Sequence, residues 1–260
     1  KKLFIHPFDD LDVINGQATI AYEIYNELKP DYLMCCIGGG GLISGISQYF
    51  NSVYDRCNII GIEPEGAASA TEAIKNDIPT KLNNIDTFVD GGAVSKIGNI
   101  NFNIIKNNVD EILTVPNEKI ANILTEFYEY EGIILEPAGA LGIAGLDGFR
   151  FKKKDNVVCV LSGGNNDITR YQEIMDLNLR YLNKKHYFII QFIQKPGQLS
   201  SFIEILDKGD DITRFEYIKK TNREFGNVLV GIQLGEKKNL NLIETKLREY
   251  NFNFKKINQD

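Results

Sequence analysis

The chain has 260 residues, of which 43% are hydrophobic and 25% charged, and its formal net charge is -6. That is enough for one large domain or two ordinary ones with a substantial core, and it excludes a disordered chain. Acidic and basic residues are interspersed, so the basic stripe of a nucleic-acid surface is missing. The amino end, "KKLFIHPFDD", lacks the apolar core of a signal peptide, and no apolar run approaches a membrane span. A cytoplasmic protein with no membrane or nucleic-acid partner is the expectation. The four cysteines, Cys35, Cys36, Cys57 and Cys159, lie in or beside apolar β-like runs without metal-ligand spacing, and read as free thiols.

Up to about residue 180, short apolar runs alternate with helical patterns. "DYLMCCI", "NIIGIEP", "DEILTVP" and "NVVCVLS" predict strands buried on both faces. "GLISGISQYFNSVY", "AASATEAIKN", "NEKIANILTEFYEYEG" and "EPAGALGIAGLDGF" predict the helices between them. Continuous apolar strands separated by helices imply a parallel sheet covered on both sides. Ile120, Ile123, Leu124 and Phe127 recur at helical spacing, which makes that face a core face.

After residue 185 the rhythm changes. "HYFIIQFI", "PGQLSSFIEILD", "DITRFEYIKK", "NVLVGIQL", "NLNLIETKLREY" and "FNFKKI" predict strand, helix, strand, strand, helix, strand. That order is the βαββαβ arrangement of a ferredoxin-like unit, which needs about 70 residues. The reading is therefore an α/β domain over 1–180 and a ferredoxin-like domain over 185–260, with the polar "NLRYLNKK" as linker.

Within "YLMCCIGGGGLISGI", residues 32–46, four glycines sit between a buried strand and a helix. Backbone N–H groups at such a turn carry positive partial charge, and glycine lets the backbone wrap a phosphate closely. A Walker nucleotide loop breaks at Ile46, where lysine belongs, and a dinucleotide turn breaks at Ser44, where glycine belongs. A tight turn with close helix–strand packing would be met by one or two glycines. A phosphate site accounts for all four, without naming the ligand. "NVVCVLSGGNNDI" is a second strand ending in small and amide residues, including Ser162. In an open parallel sheet both turns open on one edge, where ligands bind. By itself "LSGGN" also fits an ordinary turn.

In chain order, "GGGGL", "DGGAVSKIG", "EILTVP", "EPAGALGIAGL" and "LSGGN" resemble the second half of the fold-type-II pyridoxal-phosphate enzymes, and among them the threonine dehydratases. "FIIQFIQKPGQLSSFIEIL" is similar to the ACT-like regulatory domain of the biosynthetic members. The resemblance implies the large, incomplete domain of such an enzyme followed by an ACT-like domain. It implies pyridoxal 5'-phosphate as cofactor and dehydration of L-threonine to 2-oxobutanoate and ammonia, the first step of isoleucine biosynthesis. Gly38, Gly39, Gly40, Gly41 and Leu42 would hold the cofactor phosphate through backbone amides. Ser162 would hydrogen-bond the pyridine nitrogen, Gly91 would lie against the ring, and Glu136 would neighbour the site. A carboxylate near a helix N-terminus is an equal account of Glu136. A neutral hydroxyl at the ring nitrogen leaves the ring a shallower electron sink than a carboxylate would, which suits β-elimination better than transamination.

The Schiff-base lysine of this family, in a Ser-x-Lys-x-Arg-Gly type motif, has no counterpart here, and Lys96 of "VSKIG" belongs to a different motif. No catalytic residue is therefore assigned, and about one domain of the family pattern is expected to be absent. The alternative function is a non-catalytic regulatory fragment that binds a branched-chain amino acid. The resemblance implies isoleucine or valine as effector, with Gly197 and Leu199 as regulatory candidates, and a homodimer or homotetramer. A ligand-free dimerisation module is the competing account of the second domain. In "EPEGAASA", Glu63 and the Ala67 carbonyl are conceivable cation ligands, but Ser69 stands where a second carboxylate is expected, so no metal is assigned. His6 and His186 have no partners in sequence, and neither is assigned a general-base role.

Overall fold

Four apolar runs pair side by side because both of their faces must leave water. They are β1 (Tyr32–Cys36), β2 (Asn58–Pro64), β3 (Glu111–Val115) and β4 (Val157–Cys159), and they form one parallel sheet in the order β3-β2-β1-β4. The structure, a computed structural model, describes residues 4–218, 224–236 and 239–257. Two compact units divide the chain, Lys1–Ile174 and Met175–Asp260.

In the first unit, β1 is central and pairs Tyr32 with Asn58 on one side and with Val157 on the other. The helices are α1 (Leu11–Glu27), α2 (Gly41–Val53), α3 (Ser69–Asn76), α4 (Asn99–Asn108), α5 (Asn117–Glu126) and α6 (Pro137–Ala144). Ile14 and Ala21 of α1, Ile43, Ile46 and Phe50 of α2, and Leu33 and Ile59 of the sheet are wholly buried. Gly45 lets α1 approach α2, since a Cβ there would lie 2.4 Å from the Ile14 carbonyl oxygen. The helical pattern over 117–132 ends early: α5 stops at Glu126, and Phe127–Glu131 form a wider π turn. Ile120 and Leu124 are core residues, whereas Ile123 and Phe127 are half-buried.

A further helix, α7 (Tyr171–Tyr181), includes the first four residues of "NLRYLNKK", so that stretch is helix and then turn. It is followed by β5 (Lys185–Ile193), α8 (Gln198–Ile203), β6 (Asp211–Tyr217), β7 (Phe225–Gln233), α9 (Asn239–Glu249) and β8 (Asn253–Ile257). This is the predicted βαββαβ order, and its antiparallel sheet runs β6-β7-β5-β8. Alternate residues point to one face, where Phe188, Ile190, Phe192, Val228, Val230 and Ile232 form a core with Phe202, Ile243 and Leu247. Residues 219 and 220, the end of the stretch read as "DITRFEYIKK", lie outside the described residues.

Candidate functional site

The chain leaves β1 at Cys36 and passes through Ile37 into Gly38–Gly41, and α2 begins at Gly41. Gly40 is the N-cap at φ +95°, a left-handed conformation that costs glycine little. The first intrahelical bond runs from the Ser44 amide to the Gly40 carbonyl, at 3.0 Å. The preceding amides have no partner within the helix, no side chain caps it, and its first turn carries no acidic residue. The end of α2 therefore presents uncompensated N–H groups and the positive end of the helix dipole.

Part of the demand for glycine comes from protein packing. A Cβ on Gly39 would lie 2.2 Å from the Phe8 ring, and one on Gly40 would lie 2.8 Å from Asn101 Cβ. The buried Asn101 side-chain amide donates to the Gly39 carbonyl at 2.9 Å and to the Phe8 carbonyl at 2.8 Å. Asp9 in turn accepts from the amides of Asn99, Ile100 and Asn101 and so caps α4. Asp10 caps α1 through the Asp12 amide at 2.9 Å, and His6 Nδ1 accepts from the Asp9 amide at 2.9 Å. Phe8, Asp9 and Asn101, none of them singled out from sequence, thus brace the glycine loop. The only signal was "DD" ahead of a helical pattern.

The other predicted residues converge on the same sheet edge. Gly38 abuts "DGG", because a Cβ there would meet Gly92 Cα at 3.1 Å and the Gly91 carbonyl at 3.2 Å. A Cβ on Gly91 would meet Ala138 Cβ at 3.1 Å and Glu136 Oε1 at 3.3 Å. Glu136 occupies the N-cap position of α6 without a side-chain capping bond. Its amide donates to the Gly163 carbonyl at 3.1 Å, and its carboxylate lies against Gly163, where a Cβ would come within 2.3 Å. Gly139 touches the Gly163 backbone, so "EPAGA" and "LSGG" fit together through bare backbone. Ser162 Oγ lies 3.4 Å from Cys36 Sγ, just beyond Met34 and Cys159, the last pair of the β1–β4 ladder. Burial raises the Cys36 thiol above its ordinary value, and the Glu136 charge adds to this, while the Ser162 contact opposes it. Burial pushes the Cys57 and Cys159 thiols up to about 12 and about 11, so they stay protonated at neutral pH.

Glu63 is buried at the end of β2 and accepts from the Ala70 amide, the Thr71 amide and the Thr71 hydroxyl at 2.7, 2.8 and 2.7 Å. Its carboxylate thereby caps α3 from another element. Burial raises its pKa, and these hydrogen bonds only partly offset the rise. Among the described residues no three or more His, Cys, Asp or Glu side chains group as metal ligands. In the second unit, Gly197 opens α8 at φ +89° and Leu199 is half exposed. Elsewhere in that unit a shallow pocket of about 430 Å³ is lined by Ile189, Gln194, Glu216, Phe225, Asn227 and Leu229, among others.

Residues 1–163 match the model of the pyridoxal-phosphate dependent enzymes. The chain belongs to that family. Residues 177–260 match the C-terminal regulatory domain of threonine dehydratase. Similar curated proteins include the biosynthetic L-threonine dehydratases of Halalkalibacterium halodurans and Bacillus subtilis, 46% and 44% identical over the whole of this chain. The chain spans 64% and 62% of those relatives' lengths. Among solved structures, processed threonine deaminase isoform 2 from Solanum lycopersicum is 37% identical, with a TM-score of 0.64 over 67% of this chain and 52% of that one. A serine racemase from Dictyostelium discoideum is 33% identical, with a TM-score of 0.58 over 63% of this chain and 53% of that one.

The family's cofactor is pyridoxal phosphate, and the residues present fit it. The uncapped start of α2 suits a phosphate, and beyond the end of β4 the exposed Ser162 offers a hydroxyl that would suit a ring nitrogen. Among the described residues no helix is long and apolar enough to cross a membrane.

Proposed function

We propose that this chain supplies the cofactor-holding and regulatory parts of a threonine dehydratase, which converts L-threonine to 2-oxobutanoate and ammonia. The observation that carries the reading is the convergence of two strand ends. The glycine turn after β1 and the Ser162 turn after β4 lie side by side, with Gly91 and Glu136 between them. The names of the relatives and of the matched regulatory model support the choice of substrate. In this reading the amides of Gly38 to Leu42 hold the phosphate, the Ser162 hydroxyl meets the ring nitrogen, and Gly91 leaves room for the ring. The bound cofactor supplies the electron sink for the carbanion formed when threonine loses its α-proton. Glu136 and Gly163 fix the Ser162 turn through the 3.1 Å backbone hydrogen bond.

We further propose that the chain by itself does not turn threonine over. The sequence has no Ser-x-Lys-x-Arg-Gly type motif, and Lys96, in a different motif, is exposed. The test is an absorbance titration with pyridoxal phosphate, then borohydride reduction, peptide mapping and an assay for 2-oxobutanoate. Reversible binding with no labelled lysine and no product is expected. A single labelled lysine with product formation overturns the non-catalytic reading, and absence of binding overturns the cofactor site.

A second reading concerns the carboxyl-terminal unit, and the match to a regulatory domain over 177–260 favours it. In it this unit binds a branched-chain amino acid as effector, and the chain assembles as a homo-oligomer. Gly197 and Leu199 are the candidate contacts. Isothermal titration with isoleucine and valine, with leucine and alanine as controls, tests it. Equal weak heats for all four would sink it.

A further inference from the structure

The carbonyl of Gly39 accepts from two donors at the start of α4, the Asn101 side-chain amide at 2.9 Å and the Gly98 backbone amide at 3.2 Å. The Gly39–Gly40 peptide bond is trans and planar, so its N–H points the opposite way from its C=O. With the carbonyl drawn toward α4, the Gly40 N–H is turned away from α4, and among the described residues no hydrogen bond takes it up. Glycine stands on both sides of this peptide, so its plane can rotate at little steric cost, and the two donors are what set it. Asn101 is wholly buried, and its Nδ2 also donates to the Phe8 carbonyl at 2.8 Å. Two carbonyl partners fix which end of the amide faces the loop, since only an NH2 group can donate twice. Its Oδ1 is buried without a hydrogen-bond partner among the described residues. An apolar side chain would fill the space without that cost, so the amide is explained by what its Nδ2 holds.

We infer that Asn101 is a positioning residue: its amide fixes the Gly39–Gly40 peptide plane so that the Gly40 N–H faces the cofactor phosphate. The inference rests on the cofactor reading above and deepens it, because it names the side chain that aims one of the phosphate-facing amides. It involves no covalent or redox step. With Asn101 shortened to alanine, the Gly98 amide alone holds the carbonyl. The plane then samples orientations in which the Gly40 N–H no longer meets the ligand.

The test compares pyridoxine 5'-phosphate with pyridoxine, which lacks the phosphate, by fluorescence titration of the full 260-residue chain. Neither compound has an aldehyde, so neither labels surface lysines. The unsubstituted chain should prefer the phosphorylated compound. Asn101→Ala should reduce that preference by about three- to tenfold, the scale of one net hydrogen bond, while pyridoxine affinity stays the same. A role confined to stability would weaken both compounds alike, so an unchanged preference overturns the inference and leaves the cofactor site standing. Should Asn101→Ala fail to fold, NMR of the unsubstituted chain prepared with isotope-labelled glycine decides. The Gly40 amide proton should move downfield on addition of pyridoxine 5'-phosphate and stay in place with pyridoxine. A Gly40 resonance that ignores the phosphorylated compound while it binds overturns the inference. No affinity of the unsubstituted chain for pyridoxine 5'-phosphate overturns the cofactor reading, and this inference with it.

Discussion

At the scale of single residues, the site depends on positions where a side chain does not fit. Gly40 combines φ +95° with a prospective Cβ only 2.8 Å from Asn101, so Gly40→Val strains the backbone and displaces the loop's brace. Its pyridoxal phosphate affinity should fall at least about tenfold by absorbance titration, and wild-type affinity would refute the phosphate assignment. Asp9 is the other sensitive residue, since three amides of α4 depend on its carboxylate. Asp9→Ala should cost about 1–2 kcal/mol in urea unfolding, at the upper end for a lost cap. The glycines and Ser162 were legible because small residues after apolar runs mark strand ends. Phe8, Asp9 and Asn101 were not, because Asp9 and Asn101 are 92 positions apart and only folding brings them together.

At the scale of elements, the strands of the first unit could be read from their continuous apolar runs, and the βαββαβ order from the succession of strand and helix patterns. Three helices were harder. α4, "NINFNIIKNN", is rich in asparagine, a weak helix former, and is held by the Asp9 cap and by the burial of Asn101, Phe102 and Ile105. α1 carries Gly16 and a broad mixture of polar residues, and its apolar stripe has meaning only against α2. α7 runs through a stretch whose polarity reads as a linker. Glu63 gives α3 a cap that local sequence does not reveal, and it also gives a pH signature. Its folded pKa is raised, so between the ordinary carboxylate value and that raised value the folded state binds more protons than the unfolded state. Its contribution is therefore present at low pH and lost as pH rises through the folded value. Unfolding free energy measured against pH should show this fall, and Glu63→Gln should flatten it. His186, on β5, has the opposite sign. Burial lowers its pKa, so its contribution is present above the ordinary histidine value and lost as pH falls through the folded one. His186→Gln should remove that loss in the same measurement.

At the scale of the whole molecule, the chain divides into two compact units between Ile174 and Met175, ahead of the "NLRYLNKK" stretch in which the sequence reading set its boundary. Each unit has its own sheet, one parallel and one antiparallel, and its own buried cluster. Calorimetry should therefore resolve two transitions. Pyridoxal phosphate should shift one and a branched-chain amino acid the other, each by about 2.7 kcal/mol at a hundredfold excess over its Kd. A single transition moved equally by both ligands would argue against separate binding functions. The pairing of β1 with β4 has a consequence for recognition by length. Neighbouring strands are about 4.8 Å apart, and their spacing cannot change without breaking the ladder between them. On the cofactor reading proposed above, the two turns that would grip opposite ends of the ligand are thus mounted on a gauge of fixed width. A molecule whose acidic end and ring nitrogen are spaced for a wider or narrower gauge can engage one turn only, so the sheet rejects it before any dedicated side chain is needed.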